Sequence, residues 1–558
     1  MKKLVFMVVP AIALASLFSC TSKQEKEENR LKAFLTVYEK NLVPLYKESA
    51  LASWNANISG TEEDLKKSEN ASFALEKYYT DPKAFAELKS IKESGLVKDS
   101  ILKRELDLVY NAYLAAQVDT LLIAERLKME TEINKKYLNF RANIKGKVLS
   151  DNQVEDILRS SKNSNELKEA WEAHKMLGPV VADDIIRLVK QRNLIAQKLG
   201  FGNYQEMSLR LSGQDPAEVT AIFDELDKLT RDGFAKLKGD IDSYYAKRYG
   251  IAKDKLMPWH YQNRYFQEAP DIYPVDIDGY YKNQDPVKLT ATFYDGIGLN
   301  VDNILANSDL YEKPGKNQHA FSTSIDREGD VRTLDNIRPD SYWMNTILHE
   351  LGHGVYDYYN DRSLPFTLRD AAHPFTTEAI AEMFGSFARN PEWMTGMGVI
   401  SADESAKIGK DLVNSEKLGV MVFSRWAQVM YRFEKSMYEN PDQDLNKLWW
   451  DLVEKYQMIS KPEGRNMPDW ATKIHVALYP CYYHNYLLGY VLASQFYSYI
   501  TTNVTKTGSF IGDKAVGEWL KAKVFRPGTR YYWNEMIERA TGEKLTAKYF
   551  ARQYVSEK

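Results

Sequence analysis

Trp343-Met344-Asn345-Thr346-Ile347-Leu348-His349-Glu350-Leu351-Gly352-His353 is the stretch from which the rest of the chain can be read. Its apolar residues recur at helical spacing, and Val355, Tyr358 and Tyr359 continue the same face. On a helix, positions i and i+4 stack one turn apart, so His349 and His353 can grip one metal ion. Glu350 sits between them, where it can take a proton from an attacking water. A helix with two incidental histidines is the plainer reading. The apolar lead-in argues against it, because unpaired imidazoles and a carboxylate are costly on a partly buried face.

Glu378 follows His353 by 25 residues, in Thr377-Glu378-Ala379-Ile380-Ala381-Glu382. Pro374 suits the approach to a second helix, and Thr376 or Thr377 could cap it. From that helix Glu378 would complete a His-His-Glu zinc site and leave a fourth position open, as hydrolytic zinc requires. Glu382 shares its face and could orient a ligand histidine from behind. An ordinary acidic first turn, favoured by the helix dipole, is the alternative for both glutamates.

Outward from this centre the chain reads as helix. Amphipathic stretches cover about 29–55, 61–93, 98–143, 151–200, 215–250, 341–360, 376–390, 403–460 and 484–503. No Gly/Ser/Pro linker, low-complexity tract or clear repeat divides residues 30–558, so they are expected to form one unit. His319-Ala320-Phe321-Ser322-Thr323-Ser324-Ile325-Asp326 and Val331-Arg332-Thr333-Leu334, around Arg327-Glu328-Gly329-Asp330, read as two short strands. A strand just upstream of a zinc helix can pair its free edge with an extended peptide. A plain surface hairpin reads equally well.

The formal net charge is −3 and no basic tract stands out, so nucleic acid is not an expected partner. Residues 1–19 read as a secretory signal. Lys2 and Lys3 precede an apolar run from Leu4 to Leu17, which is too short to span a bilayer comfortably. The run ends in Leu17-Phe18-Ser19-Cys20, which resembles a bacterial lipobox. Cys20 would carry the lipid of an exported lipoprotein held in the cell envelope. Residues 20–29 are polar and read as a tether. Cys481 is then the one remaining cysteine, so no internal disulfide is expected.

A third cluster lies near the C-terminus: Lys473-Ile474-His475, then Tyr482-Tyr483-His484-Asn485-Tyr486-Leu487-Leu488-Gly489. A histidine or tyrosine aimed at a scissile carbonyl stabilises the charge that develops there. A lysine can bind a peptide's terminal carboxylate. Packing at a tyrosine-rich helix start is the alternative.

Together these motifs resemble the angiotensin-converting-enzyme-like peptidyl-dipeptidases. Leu364–Arg369 through Glu378-Ala379-Ile380 resembles the family's stretch between its second and third zinc ligands, with one extra residue. His319-Ala320-Phe321-Ser322-Thr323 stands where the family has its substrate-binding strand. Trp449-Trp450-Asp451-Leu452 and Ser53–Ile58 match two further family segments. The resemblance implies an all-α fold, with two helical halves around a deep zinc-containing cleft and a short β-hairpin lining the site. It implies one Zn²⁺ per chain on His349, His353 and Glu378, with Glu350 as general base and then acid. His475 and Tyr486 are implied as transition-state donors. Lys473, Tyr483 and Gln267 would bind the substrate's C-terminal carboxylate, with Gln262 as the alternative glutamine. His319 and Ala320 would hold its backbone. The implied activity removes C-terminal dipeptides from oligopeptides that have a free C-terminus.

The alternatives are a thimet-type oligopeptidase, a single-residue carboxypeptidase and an inactive peptide-binding lipoprotein. Val453 and Asn485 stand where the family's animal members have chloride-binding arginines, which implies activity independent of chloride.

Overall fold

The computed structural model describes residues 22–273 and 275–555. Cys20 and the expected signal segment lie outside them. Within them the chain is helical, apart from two small antiparallel hairpins. No helix among the described residues is long and apolar enough to cross a membrane.

The helices start and stop where local chemistry dictates. The helix Pro216–Tyr249 begins with Asp215 capping Ala217 N and a proline in its first turn, and it ends at Gly250 with φ +66°. The stretch read as 403–460 is broken. Its first helix ends at Glu439 and the next begins at Leu445. Pro441 accounts for this, because the residue before a proline is pushed out of the α region. The stretch read as 98–143 contains two helices, Ser100–Ala115 and Thr120–Asn139. It then enters a hairpin, Ala142–Ile144 with Lys147–Leu149, that the helical reading missed. Lys145 and Gly146 both have positive φ (53° and 87°), as the tight two-residue turn requires.

The expected tether is corrected as well. A helix runs from Lys23 to Ser59, with the Ser22 side chain accepting from Glu25 N. The cap and the i,i+4 and i,i+3 partners of its first turns, such as Gln24 to Glu28 and Arg30 to Glu27, let a polar segment extend a helix anchored further on.

Burial divides the molecule unequally. The N-terminal helices enclose their own core, including Leu31, Leu35, Tyr38, Leu88, Ile91 and Tyr113, which meets the remainder at Phe366. One continuous larger core runs from Ile133 to Tyr554. At its centre, the helix Ser341–Tyr358 packs on Pro374–Gly385, and Pro374–Gly385 packs on His484–Asn503. The hairpin Phe321–Ser324 with Val331–Leu334 lies against the first of these three helices.

Candidate active site

Two glycines let the three central helices approach closely. A Cβ on Gly352 would lie 2.7 Å from the Ala381 Cα, so the motif helix and the Glu378 helix touch backbone to backbone. A Cβ on Gly489 would lie 3.0 Å from the Glu378 Cγ, so the third helix closes over that glutamate. Neither glycine was singled out in the sequence, although Gly352 lies inside the histidine motif.

This packing brings His349, His353 and Glu378 together. Their ligating atoms lie within 4.8 Å of one another. The two Nε2 atoms are 3.2 Å apart, and each is 3.7 Å from a Glu378 oxygen. Burial lowers the histidines to about 4 and about 3, so both rings are neutral near pH 7 with a lone pair free. Burial pushes the Glu378 carboxyl up, and burial with repulsion from Glu378 does the same for Glu382. Two neutral imidazoles facing a carboxylate that no lysine or arginine among the described residues pairs with fit a divalent cation.

The supporting contacts differ in part from expectation. The His353 Nδ1 lies 2.9 Å from the Thr377 hydroxyl, which fixes that ring. Glu382 hydrogen-bonds Tyr490. The N-cap of the Glu378 helix is His373, whose ring accepts from Phe375 N; the Thr376 hydroxyl completes the cap by accepting from His373 N, and Thr377 takes no part in it. Pro374 is the first residue of the helix, not part of its approach, because its missing N–H costs nothing there.

Glu350 is 8% exposed. Burial, followed by repulsion from Asp335 and Glu378, raises its carboxyl well above the usual range, while the Ser322 N–H holds it. That bond ties Glu350 to the strand Phe321–Ser324, which pairs with Val331–Leu334 on one side. Ala320, just before the strand, lines a cavity of about 760 Å³ with His353 and Glu378, and another of about 870 Å³ with His319 and His349. Glu350 borders both. His319 is exposed.

The C-terminal cluster assembles beside this centre. The Tyr486 ring is 5.4 Å from Tyr483, and Glu378 contributes to raising its hydroxyl after burial. The His475 ring is 5.2 Å from Tyr483; it is neutral, lowered to about 4 by burial and then by Lys473, and its Nδ1 is buried without a partner. Lys473 is 8% exposed, and its Nζ donates to Gln267 Oε1 at 2.6 Å. The ammonium lies over the rings of Tyr265 (5.2 Å), Trp426 (5.5 Å) and Tyr483 (5.7 Å). No carboxylate among the described residues pairs with it within 4 Å. Burial lowers Lys473 to about 8.

Gln262 is turned elsewhere: it accepts from the Tyr245 hydroxyl and donates to the Arg159 carbonyl. Tyr265 and Trp426 are the supports that sequence reading missed. The Tyr265 hydroxyl donates to Thr472 O at 2.8 Å, and Trp426 Nε1 donates to the Tyr483 hydroxyl at 2.7 Å. Nothing in their local sequence marks them.

The likeness to known proteins extends over nearly the whole chain. The family model described as angiotensin-converting enzyme, peptidase M2, matches residues 25–555. A curated protein named angiotensin-converting enzyme from Theromyzon tessulatum is 23% identical over 569 residues, covering 94% of this chain and 91% of its own. Proteins of the same name from Rattus norvegicus and Mus musculus are 23% and 22% identical over 93% of this chain. The chain spans 42% of the length of each of these two. With the motif, the three-helix centre and the match from residue 25 to residue 555 in agreement, the chain belongs to the angiotensin-converting enzyme family of peptidases.

Proposed function

We propose that the protein is a zinc peptidyl-dipeptidase that removes C-terminal dipeptides from oligopeptides. The observation that carries this reading is the buried Lys473 ammonium, bonded to Gln267 with no carboxylate among the described residues within 4 Å, in a chain that also gathers His349, His353 and Glu378. A buried cation without a counter-ion is costly, and a peptide's terminal carboxylate would offset that cost.

His349, His353 and Glu378 would hold the zinc, which supplies the Lewis acidity that activates water and polarises a carbonyl. The chain's own groups carry the proton transfers. Glu350, tied to the Ser322 N–H, takes a proton from the attacking water and delivers it to the leaving amine nitrogen. Its raised proton affinity suits both halves of that cycle. His475 and Tyr486 donate hydrogen bonds to the oxygen of the carbonyl under attack. Lys473, Gln267 and Tyr483 hold the free C-terminus. The Ala320–Ser322 edge positions the substrate's backbone, with His319 beside it. Fixing both the terminus and the attacked carbonyl sets the length of the released fragment.

The cell envelope is the proposed location, with a lipid on Cys20, whose support is the sequence alone. The first helix begins three positions after Cys20 in the chain, so the anchor would hold the N-terminal helices close to the membrane. Detergent phase separation of the parent and Cys20→Ser, expressed with the complete leader, tests this. The parent should enter the detergent phase and the variant the aqueous phase; identical partitioning overturns the anchor.

The activity is tested with one peptide in two forms, free and amidated at the C-terminus. Zinc-loaded protein should cleave the free form far faster, lose activity to a chelator and regain it with zinc. Equal cleavage of both forms would support an oligopeptidase instead.

A further inference from the structure

We infer that the cavity on the His353 side selects peptides with a positive charge one or two residues upstream of the scissile bond, and that Asp357 reads that charge. The inference rests on the peptidase reading above and adds a substrate class to it.

The direction of the substrate follows from the anchor. Gln267 and Lys473 hold the C-terminus, and Glu268, next to Gln267, lines the cavity that contains His349. The residues upstream of the attacked carbonyl therefore extend into the other cavity, of about 760 Å³, bounded by His353, Glu378 and Glu350. Asp357 lines that cavity. It lies four residues after His353 on the same helix, so it stands one turn from a metal ligand on the same face.

Asp357 shares the cation that acts on it, Arg327, with Asp370, and all three line this cavity. Arg327 pairs with Asp370 at 2.6 Å and lies over the rings of Tyr46 and Phe366. Among the described residues, no hydrogen bond or ion pair within 4 Å reaches the Asp357 carboxylate. The His373 ring in the same wall is buried and neutral, lowered to about 3. Arg104 also lines the cavity, but its guanidinium donates to the Thr529 carbonyl and hydroxyl and covers the Tyr532 ring. Burial, with Asp370, raises the Asp357 carboxyl to about 7. A carboxyl so disfavoured as an anion gains more from a cation than an exposed one does. The ammonium or guanidinium of a lysine or arginine side chain is the group that fits.

The test uses full-length zinc-loaded protein and matched peptides with a free C-terminus. Each carries lysine, ε-acetyl-lysine or glutamate at the first or second position upstream of the scissile bond. The parent should cleave the lysine form with kcat/KM about tenfold or more above the acetylated form at one of the two positions. Raising salt should shrink the ratio. Asp357→Asn should bring the lysine-to-acetyl-lysine ratio close to one. The parent's own ratio stands without the variant, should the variant fold poorly. A parent ratio near one, or a preference for glutamate that Arg104 would explain, overturns the inference and leaves the peptidase reading intact. A preference that survives in Asp357→Asn also overturns it. Cleavage of none of the peptides overturns both.

Discussion

The candidate metal centre and the proposed carboxylate anchor are built in opposite ways. At the metal centre three helices meet almost backbone to backbone, and His349, His353 and Glu378 come from 30 residues of continuous chain. At the anchor, Gln267 and Lys473 are 206 residues apart, and the cation is held by one hydrogen bond and three aromatic rings. Close packing fixes ligand atoms to within tenths of an ångström, and a shift of that size at a metal site costs affinity. The aromatic cage tolerates more movement, because an ammonium over a ring face has no single bonding direction. The first region should therefore respond to small changes as a switch, and the second in proportion to the charge removed.

The largest effect should come from Glu350→Gln. It keeps the shape and removes the base, so kcat should fall by roughly 10²- to 10⁴-fold. Zinc content should stay at one per chain. Near-normal turnover would remove Glu350 from the chemistry.

Gly352→Ala places a methyl within 2.7 Å of backbone, where no side-chain rotation can relieve it. Overpacking of this kind costs about 1–3 kcal/mol. A lower melting temperature together with weaker zinc binding is expected. An unchanged melting temperature would mean that the helices separate at no cost, and the contrast between the two regions would fail.

Lys473→Ala should raise KM for free-C-terminus peptides, by a charge-assisted contact worth about 1.5–3 kcal/mol. Amidated peptides should change far less. Equal losses on both would show that Lys473 does not read the carboxylate. The same group gives a pH signature. Lys473 is lowered to about 8, so it is charged below that pH and neutral above it. The kcat/KM of a free-C-terminus peptide, which reports on the free enzyme, should fall as pH rises through about 8. An amidated peptide should lack that limb, and the same fall with both would assign it to another group.

Reading these regions from sequence succeeds or fails for the same physical reason. A helix carries its own register, so the i,i+4 histidines and the helix His484–Asn503 are local facts. The hairpin of Phe321–Ser324 and Val331–Leu334 was legible because its strands and turn adjoin. Tyr265 and Trp426 were not, because their role exists only once distant segments meet. The close approach at Gly352 belongs to a helix pair rather than to one helix, so periodicity was silent about it. Gln267 was chosen through family resemblance, and the chain's own periodicity gave no reason to prefer it to Gln262. The helix at Lys23–Asn29 was missed because polar composition reports solvation, not conformation.

The smallest expected effect concerns chloride. Val453 is buried and apolar, and the Asn485 side chain accepts from Gln214. The neighbouring His484 is neutral, lowered to about 3 by burial. Replacing acetate with chloride at constant ionic strength should leave turnover nearly unchanged. A saturable rise would point to Lys175, whose buried ammonium shares a small cavity with Val453.

Product identity bears most directly on the central claim that the metal centre and the anchor act together as a ruler. A hexapeptide with a free C-terminus is incubated with the zinc-loaded protein, and the first products are identified by mass spectrometry. The account requires a tetrapeptide and the C-terminal dipeptide, with the tetrapeptide then cut into two further dipeptides. Release of single amino acids, or cleavage at positions not counted from the C-terminus, would contradict it.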